Sequence, residues 1–168
     1  MKISKAYFQE IQQQSKFVWF ILFFVDSIFV IGVIKQLVFN EQYGDKPMSN
    51  AGLLIITILL ILITLLLTLY CKLQTYIGKE GIYVRYLPFQ LKYKYFDWNS
   101  IEKIYIRRYN PFTEFGGWGL KKTLKGTAYT VKGRMGLQLE LSNKKKVLIG
   151  TQETEYIRTI LLKLGKIS

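Results

Sequence analysis

The 168-residue chain has no histidine, a single cysteine, and only 11 acidic residues against 24 basic ones, a net charge of +13. One cysteine excludes an intrachain disulfide. The lack of histidine removes the commonest metal ligand and the commonest general base. There is no Cys/His cluster with zinc spacing, no Gly-rich loop ending in Gly-Lys-Ser/Thr, and no serine with a histidine base. The acids Asp97, Glu102, Glu114 and Glu140 fall on separate segments. The sequence therefore points to a non-catalytic protein that needs neither metal nor cofactor.

The organising stretch is Gly52–Tyr70, GLLIITILLILITLLLTLY, which carries no charge, no proline and no glycine after its first position. About 20 residues at ~1.5 Å per residue cover the ~30 Å hydrocarbon core of a bilayer, and a helix apolar on every face needs lipid or complete burial. Residues 51–71 are read as a transmembrane helix. Phe17–Ile34, FVWFILFFVDSIFVIGVI, is a second spanning segment, uncleaved because no small-x-small site follows it. Its exception is Asp26, whose ionised form costs roughly 2.5–3.5 kcal/mol at the centre of a span. Asp26 is expected to be neutral, partnered, or both. Thr57, Thr64 and Thr68 share one face of the second helix, and Thr64 lies within reach of Asp26 in an antiparallel hairpin. Two roles are open for Asp26: a buried acid locking the helices together, or a proton-bearing or subunit-contacting group.

Residues 1–16 carry Ile3, Tyr7, Phe8 and Ile11 at helical spacing and read as an amphipathic cytoplasmic segment at the lipid surface, or as an extension of the first helix. Residues 35–50 are uncharged overall and form the connecting loop, with Pro47 and Ser49 or Asn50 starting the second helix. From Lys72 onward there are 19 basic and 7 acidic residues, a net of +12. The positive-inside rule then puts both termini in the cytoplasm and the loop outside. Tyr70 and Trp19 are aromatic anchors; Cys71 reads as a buried small hydrophobe, with acylation the other option.

After Lys72 the hydrophobic period falls to two. Thr75–Ile77, Ile82–Leu87, Lys92–Trp98 and Ile101–Arg108 read as four strands in meander order. The break Tyr109–Gly119 follows. Three further strands are expected, from Trp118–Lys122 or Ala128–Lys132, Leu137–Leu141 and Lys146–Gly150, the last two joined by a solvated SNKK turn whose lysines discourage edge aggregation. Thr151 caps a closing amphipathic helix built on Tyr156, Ile157, Ile160, Leu161 and Leu164, stopped by Gly165.

About seven antiparallel strands and a C-terminal helix is the element order of a pleckstrin-homology-like (PH-like) domain, a bent sheet or partly open barrel closed by the helix. The runs EFGGWG (Glu114–Gly119), GTAYTVKG (Gly126–Gly133), GLQLEL (Gly136–Leu141) and LIGTQ (Leu148–Gln152) resemble bacterial membrane proteins that carry such a domain after two transmembrane helices. Two departures stand out: Lys121 where an arginine is common, and no proline at Gln152–Glu155. The resemblance implies a bacterial cytoplasmic-membrane protein with a cytoplasmic domain at residues 72–168, and it carries over no catalytic residue.

The working surface is expected between Arg107 and Lys125, where Arg107, Arg108, Lys121, Lys122 and Lys125 interleave with Tyr109, Phe112, Phe115 and Trp118. Such a mixture suits anionic lipid headgroups, ~1 kcal/mol per cation near a charged leaflet, or an acidic protein segment. Single-stranded nucleic acid shares the chemistry but only through charge, and is disfavoured. The aromatics have a second reading, as core plugs where two half-sheets meet. The function expected is a membrane-anchored binding or scaffold module. The alternative is a subunit of a membrane complex, homo- or hetero-oligomeric, working through the hairpin and Asp26.

Overall fold

The computed structural model describes residues 6–167, which divide into two compact units. One is the helical hairpin at Gln14–Cys71; the other combines the segment ahead of it with everything from Lys72 onward.

The hairpin pairs α1 (Lys16–Val33) with α2 (Asn50–Tyr70). Ser15 caps α1 by accepting from the Val18 amide, and Ser49 caps α2 by accepting from the Gly52 amide. A π-helical turn at Ile34–Val38 extends α1. Both helices are long and apolar enough to cross a bilayer, with mean hydropathy 2.6 and 3.0 over their most apolar windows. Only 6% and 17% of those windows is buried, whereas a soluble core helix would be mostly buried. In α2 the covered positions are Leu53, Thr57 and Thr64, and with half-buried Leu60 between the threonines they form a seam of mixed three- and four-residue spacing. In α1 the half-buried Leu22, Asp26, Phe29 and Val33 continue to buried Gln36 at the same spacing. At the closed end, Gln36 Nε2 donates to the Met48 carbonyl at 2.6 Å and to Asn50 Oδ1 at 2.8 Å. Gly32 lies under the Tyr43 ring, which a Cβ would meet at 2.7 Å.

The second unit is a mixed α+β assembly of two open sheets, not closed into a barrel. The four-stranded sheet is ordered β1-β2-β3-β4: β1 (Ala6–Gln13), β2 (Lys72–Gly78), β3 (Gly81–Leu87) and β4 (Lys94–Asp97). The five-stranded sheet is ordered β5-β8-β9-β7-β6, with β5 (Ile101–Arg108), β6 (Gly119–Thr123), β7 (Gly126–Thr130), β8 (Met135–Leu141) and β9 (Lys146–Gly150). The short helix α3 (Pro111–Phe115) lies between β5 and β6, and α4 (Thr154–Lys163) closes the chain.

Three features of the strands differ from the sequence expectation. The segment ahead of α1 is a strand, not an amphipathic helix: β1 pairs with β2 from Gln13↔Lys72 outward. Alternation accounts for it, since Phe8, Glu10 and Gln12 are buried while Tyr7, Ile11 and Gln13 are exposed. Ile3 lies outside the described residues. Among the described residues there are nine strands rather than about seven, because the β6–β7 hairpin uses both segments offered as alternatives and β1 adds another. They are not all antiparallel, because β7 runs parallel to β9 through Thr127↔Val147 and Ala128↔Leu148.

The core lies between the sheets. Phe8, Leu73, Ile77, Ile82, Val84, Tyr86 and Phe96 face inward from the first, and Leu137, Leu139, Val147 and Ile149 from the second. Ile157 and Leu161 of α4 are buried as expected, and Tyr156 sits 5.5 Å from the Phe8 ring. Thr151 does not cap α4, which begins after Glu153; its hydroxyl instead donates to Glu10 at 2.7 Å. Gly165 takes φ 63° at the helix stop.

Candidate anion-binding groove

The stretch read as a break contains α3, and its local sequence dictates it. Asn110 Oδ1 accepts from the Phe112 and Thr113 amides, Pro111 supplies the first helical φ, and Gly116 ends the helix in the left-handed region. Glu114 reaches back to the Asn110 amide at 2.8 Å, in the manner of a capping box. That places its other oxygen 2.8 Å from Arg107 on β5. The guanidinium is the largest influence on Glu114 and holds its carboxyl below the usual carboxylate range. Arg107 also donates to Gln138 at 2.9 Å, so it is fixed on the sheet.

Beside this pair opens a groove of about 850 Å³. Its basic lining is Arg107, Lys122, Lys125, Lys144, Lys145 and Lys146, with Glu114 the acidic member. Gly126 makes the geometry possible: at φ 123° its missing side chain leaves room for the Lys146 carbonyl of β9. Lys146 pairs with Glu140 at 3.1 Å, which together with a hydrogen bond from Tyr105 lowers the Glu140 pKa. Among the described residues Lys122, Lys125, Lys144 and Lys145 form no ion pair. The groove therefore carries uncompensated positive charge. On its lip, at the tip of the β6–β7 hairpin, Leu124 is fully exposed at 109% relative accessibility.

The residues expected to form one surface are divided. Arg107, Lys122 and Lys125 meet in the groove. Arg108, next to Arg107 on β5, is turned by alternation to the opposite face and lines a smaller cleft with Asn110 and Arg134; Lys121, one position before Lys122, pairs with Ala128 on the Arg107 face but is not among the residues lining the groove. The aromatics divide too. Tyr109 and Phe115 are buried with Ala128 and Leu148, on the face of the second sheet turned away from Val147 and Ile149 rather than where the two sheets meet, and burial pushes the Tyr109 phenol up to about 12. Trp118 is half-buried and donates to the Gly133 carbonyl at 2.9 Å, while Phe112 is exposed and packs edge-on against it at 5.1 Å. Lys144, Lys145 and Lys146, read as a solvated turn, line the groove with Tyr105 and Gln138. Local sequence could not signal this, because it depends on the β7–β9 crossover.

In the hairpin, Thr57 and Thr64 are buried on the seam as expected, but no hydrogen bond joins Asp26 to Thr64. The Thr57 and Thr68 hydroxyls donate to the Leu53 and Thr64 carbonyls of their own helix. The contacts Gln36–Asn50 and Gln14–Cys71 set the register and bring Asp26 level with Leu60, between the two threonines. Cys71 is buried, as its reading as a small hydrophobe required. Among the described residues no three His, Cys, Asp or Glu side chains are grouped to hold a metal.

No curated protein and no solved structure matches the chain. A family model spans residues 3–164, covering both helices and both sheets, and the chain belongs to that family, the family of unknown function DUF6141.

Proposed function

We propose that the protein is a membrane-anchored, non-catalytic binding module whose basic groove engages anionic lipid headgroups of the leaflet it faces. The observation that carries this reading is the groove itself: four unpaired lysines beside a fully exposed Leu124. Each cation near an anionic leaflet contributes ~1 kcal/mol, and an exposed leucine flanked by lysines suits the boundary between headgroups and acyl chains. The two apolar helices supply the anchor. The β1–β2 pairing supports a topology in which the start of α1 and the end of α2 lie at the same side, and the basic excess assigns that side to the cytoplasm. The setting that fits is a bacterial cytoplasmic membrane. A PH-like relationship is supported by a four-stranded sheet, a second sheet and a closing helix in that order; the parallel β7–β9 pair is a departure from it.

Native mass spectrometry of the full chain released from mixed bilayers tests this. Wild type is expected to retain phosphatidylglycerol over phosphatidylcholine, and Lys122→Gln, Lys125→Gln, Lys144→Gln and Lys145→Gln together should reduce that preference several-fold. Equal retention by both proteins overturns the lipid reading. An acidic protein captured from membranes by wild type alone, with lipid retention unchanged, reassigns the groove to that partner.

A second reading rests on Asp26, half-buried on the hairpin seam and without a hydrogen bond among the described residues. It makes the hairpin a subunit of a membrane complex, with Asp26 as the contact. Crosslinked assemblies that survive Asp26→Leu would dispose of it.

A further inference from the structure

β5 is an edge strand of the five-stranded sheet, and the hydrogen-bond phase shows what its outer side presents. Just past the end of β5 the Tyr109 amide donates to the Arg134 carbonyl, at 2.8 Å. In an antiparallel pair every second residue bonds to the neighbouring strand, so Arg107, Tyr105 and Lys103 turn their N–H and C=O groups to β8. Ile104 and Ile106 turn theirs outward. On the other side of β8 the Thr151 amide donates to the Met135 carbonyl, which gives Leu137 and Leu139 to β9 and fixes the same phase. Among the described residues nothing bonds to the outward groups of Ile104 and Ile106. They form a rail of alternating donors and acceptors with the spacing of a strand.

A groove of about 610 Å³ runs along this rail. One wall is the unbroken run from Glu102 to Ile106, side chains of both sheet faces together, and only a groove that follows the strand edge is lined in that way. The other wall is Arg158 of α4 with Lys166 and Ile167 beyond the helix end. Ile104, Ile106 and Ile167 are half-buried and the charged members are exposed, so the groove is open to solvent. Its charge is positive apart from Glu102. Lys103 and Lys166 form no ion pair among the described residues, and Arg158 meets only the exposed Glu155, at 3.7 Å. Lys166 Nζ is held 5.1 Å over the Trp98 ring.

We infer that β5 takes an extended acidic segment of a partner protein as an added strand, with apolar residues against Ile104, Ile106 and Ile167 and carboxylates beside Lys103, Arg158 and Lys166. The backbone rail selects a polypeptide, because a lipid headgroup offers no ladder of N–H and C=O groups to match it. Charge selects the partner. A second copy pairing through its own β5 sets Lys103, Arg107 and Arg108 against the same cations, whereas a chain of alternating acidic and apolar residues neutralises them. The inference does not rest on the lipid reading of the lysine groove.

The test uses the full chain in phosphatidylcholine nanodiscs and a fluorescein-labelled peptide of alternating glutamate and valine, followed by anisotropy. Saturable binding is expected, with slowed amide exchange across residues 101–108. N-methylation of every second peptide amide reads the rail directly. In one phase the methyl groups face β5 and affinity should fall roughly tenfold; in the other they face away and it should be nearly unchanged. A lysine and valine peptide should not bind. Lys103→Gln with Lys166→Gln, both exposed, should weaken the acidic peptide several-fold without moving the melting temperature, whereas Lys122→Gln with Lys125→Gln should leave it bound. No saturable binding, equal affinities for the two methylated peptides, or dependence on Lys122 and Lys125 in place of Lys103 and Lys166 overturns the inference. None of these outcomes bears on phosphatidylglycerol retention, so the groove reading stands or falls separately.

Discussion

Two carboxylates, Glu114 and Glu10, are displaced in opposite directions. Glu114 is held down by Arg107, so its contribution to stability is complete above about pH 4.5 and is lost as pH falls through its lowered value. Glu10 is pushed up by burial, against hydrogen bonds from the Gln152 amide at 2.8 Å and the Thr151 hydroxyl. Its contribution is complete below about pH 4.5 and is lost as pH rises through the raised native value. Since the chain lacks histidine, no imidazole adds to the pH dependence above about pH 4.5. Thermal melts in detergent should therefore show wild type losing stability as pH rises from its acidic side towards neutrality. Glu10→Gln should flatten that slope; an unchanged slope would remove Glu10 as its cause. Glu114→Gln should cost no more than about 1 kcal/mol, as expected for a partly exposed pair, and should strengthen phosphatidylglycerol retention by removing the negative charge from the groove. Neither role was legible in the sequence, because Glu10 meets Thr151 across 141 positions. Arg107 and Glu114, by contrast, are close enough in the chain for the Asn-Pro and Glu signals to have suggested the α3 turn.

The elements most legible in sequence were those with the longest period. Both apolar helices and most strands of the second unit follow from hydropathy alone, and Ser49 and Gly165 mark helix ends where their chemistry requires. β1 was obscured because Tyr7, Phe8 and Ile11 fit a helical face as well as a short strand, and only pairing with β2 decides between them. The difference is measurable. Phe8→Ala should cost about 3–5 kcal/mol, as for other buried aromatics, while Ile11→Ala, on the exposed side of the same strand, should stay within about 0.5 kcal/mol. A lipid-lying helix would give the two a similar, small effect on chemical unfolding of the second unit, followed by fluorescence of Trp98 and Trp118. In the hairpin, Gly32→Leu should cost about 1–3 kcal/mol through overpacking against Tyr43. Tyr43→Ala in the same chain should relieve part of it, and a purely additive loss would mean that the two positions do not touch.

At the scale of the whole molecule the charge asymmetry was plain from sequence, but the surface that concentrates it was not. A linear reading gathered Arg107 to Lys125 into one patch, and strand alternation divides that patch between two faces. The lysines that replace the lost members come from Lys144–Lys146, carried in by the parallel β7–β9 pairing, a long-range event without a local signal. The central claim is that this groove meets anionic headgroups. Its most direct measurement is the emission of an environment-sensitive NBD label on Leu124→Cys in a Cys71→Ala background, with the full chain in nanodiscs of phosphatidylcholine with or without phosphatidylglycerol. The expected result is a blue shift that requires phosphatidylglycerol, vanishes with Lys122→Gln, Lys125→Gln and Lys145→Gln together, and weakens as salt is raised towards about 1 M, where screening shortens to ~3 Å. The same emission in both lipid compositions, unaffected by those substitutions, would contradict it.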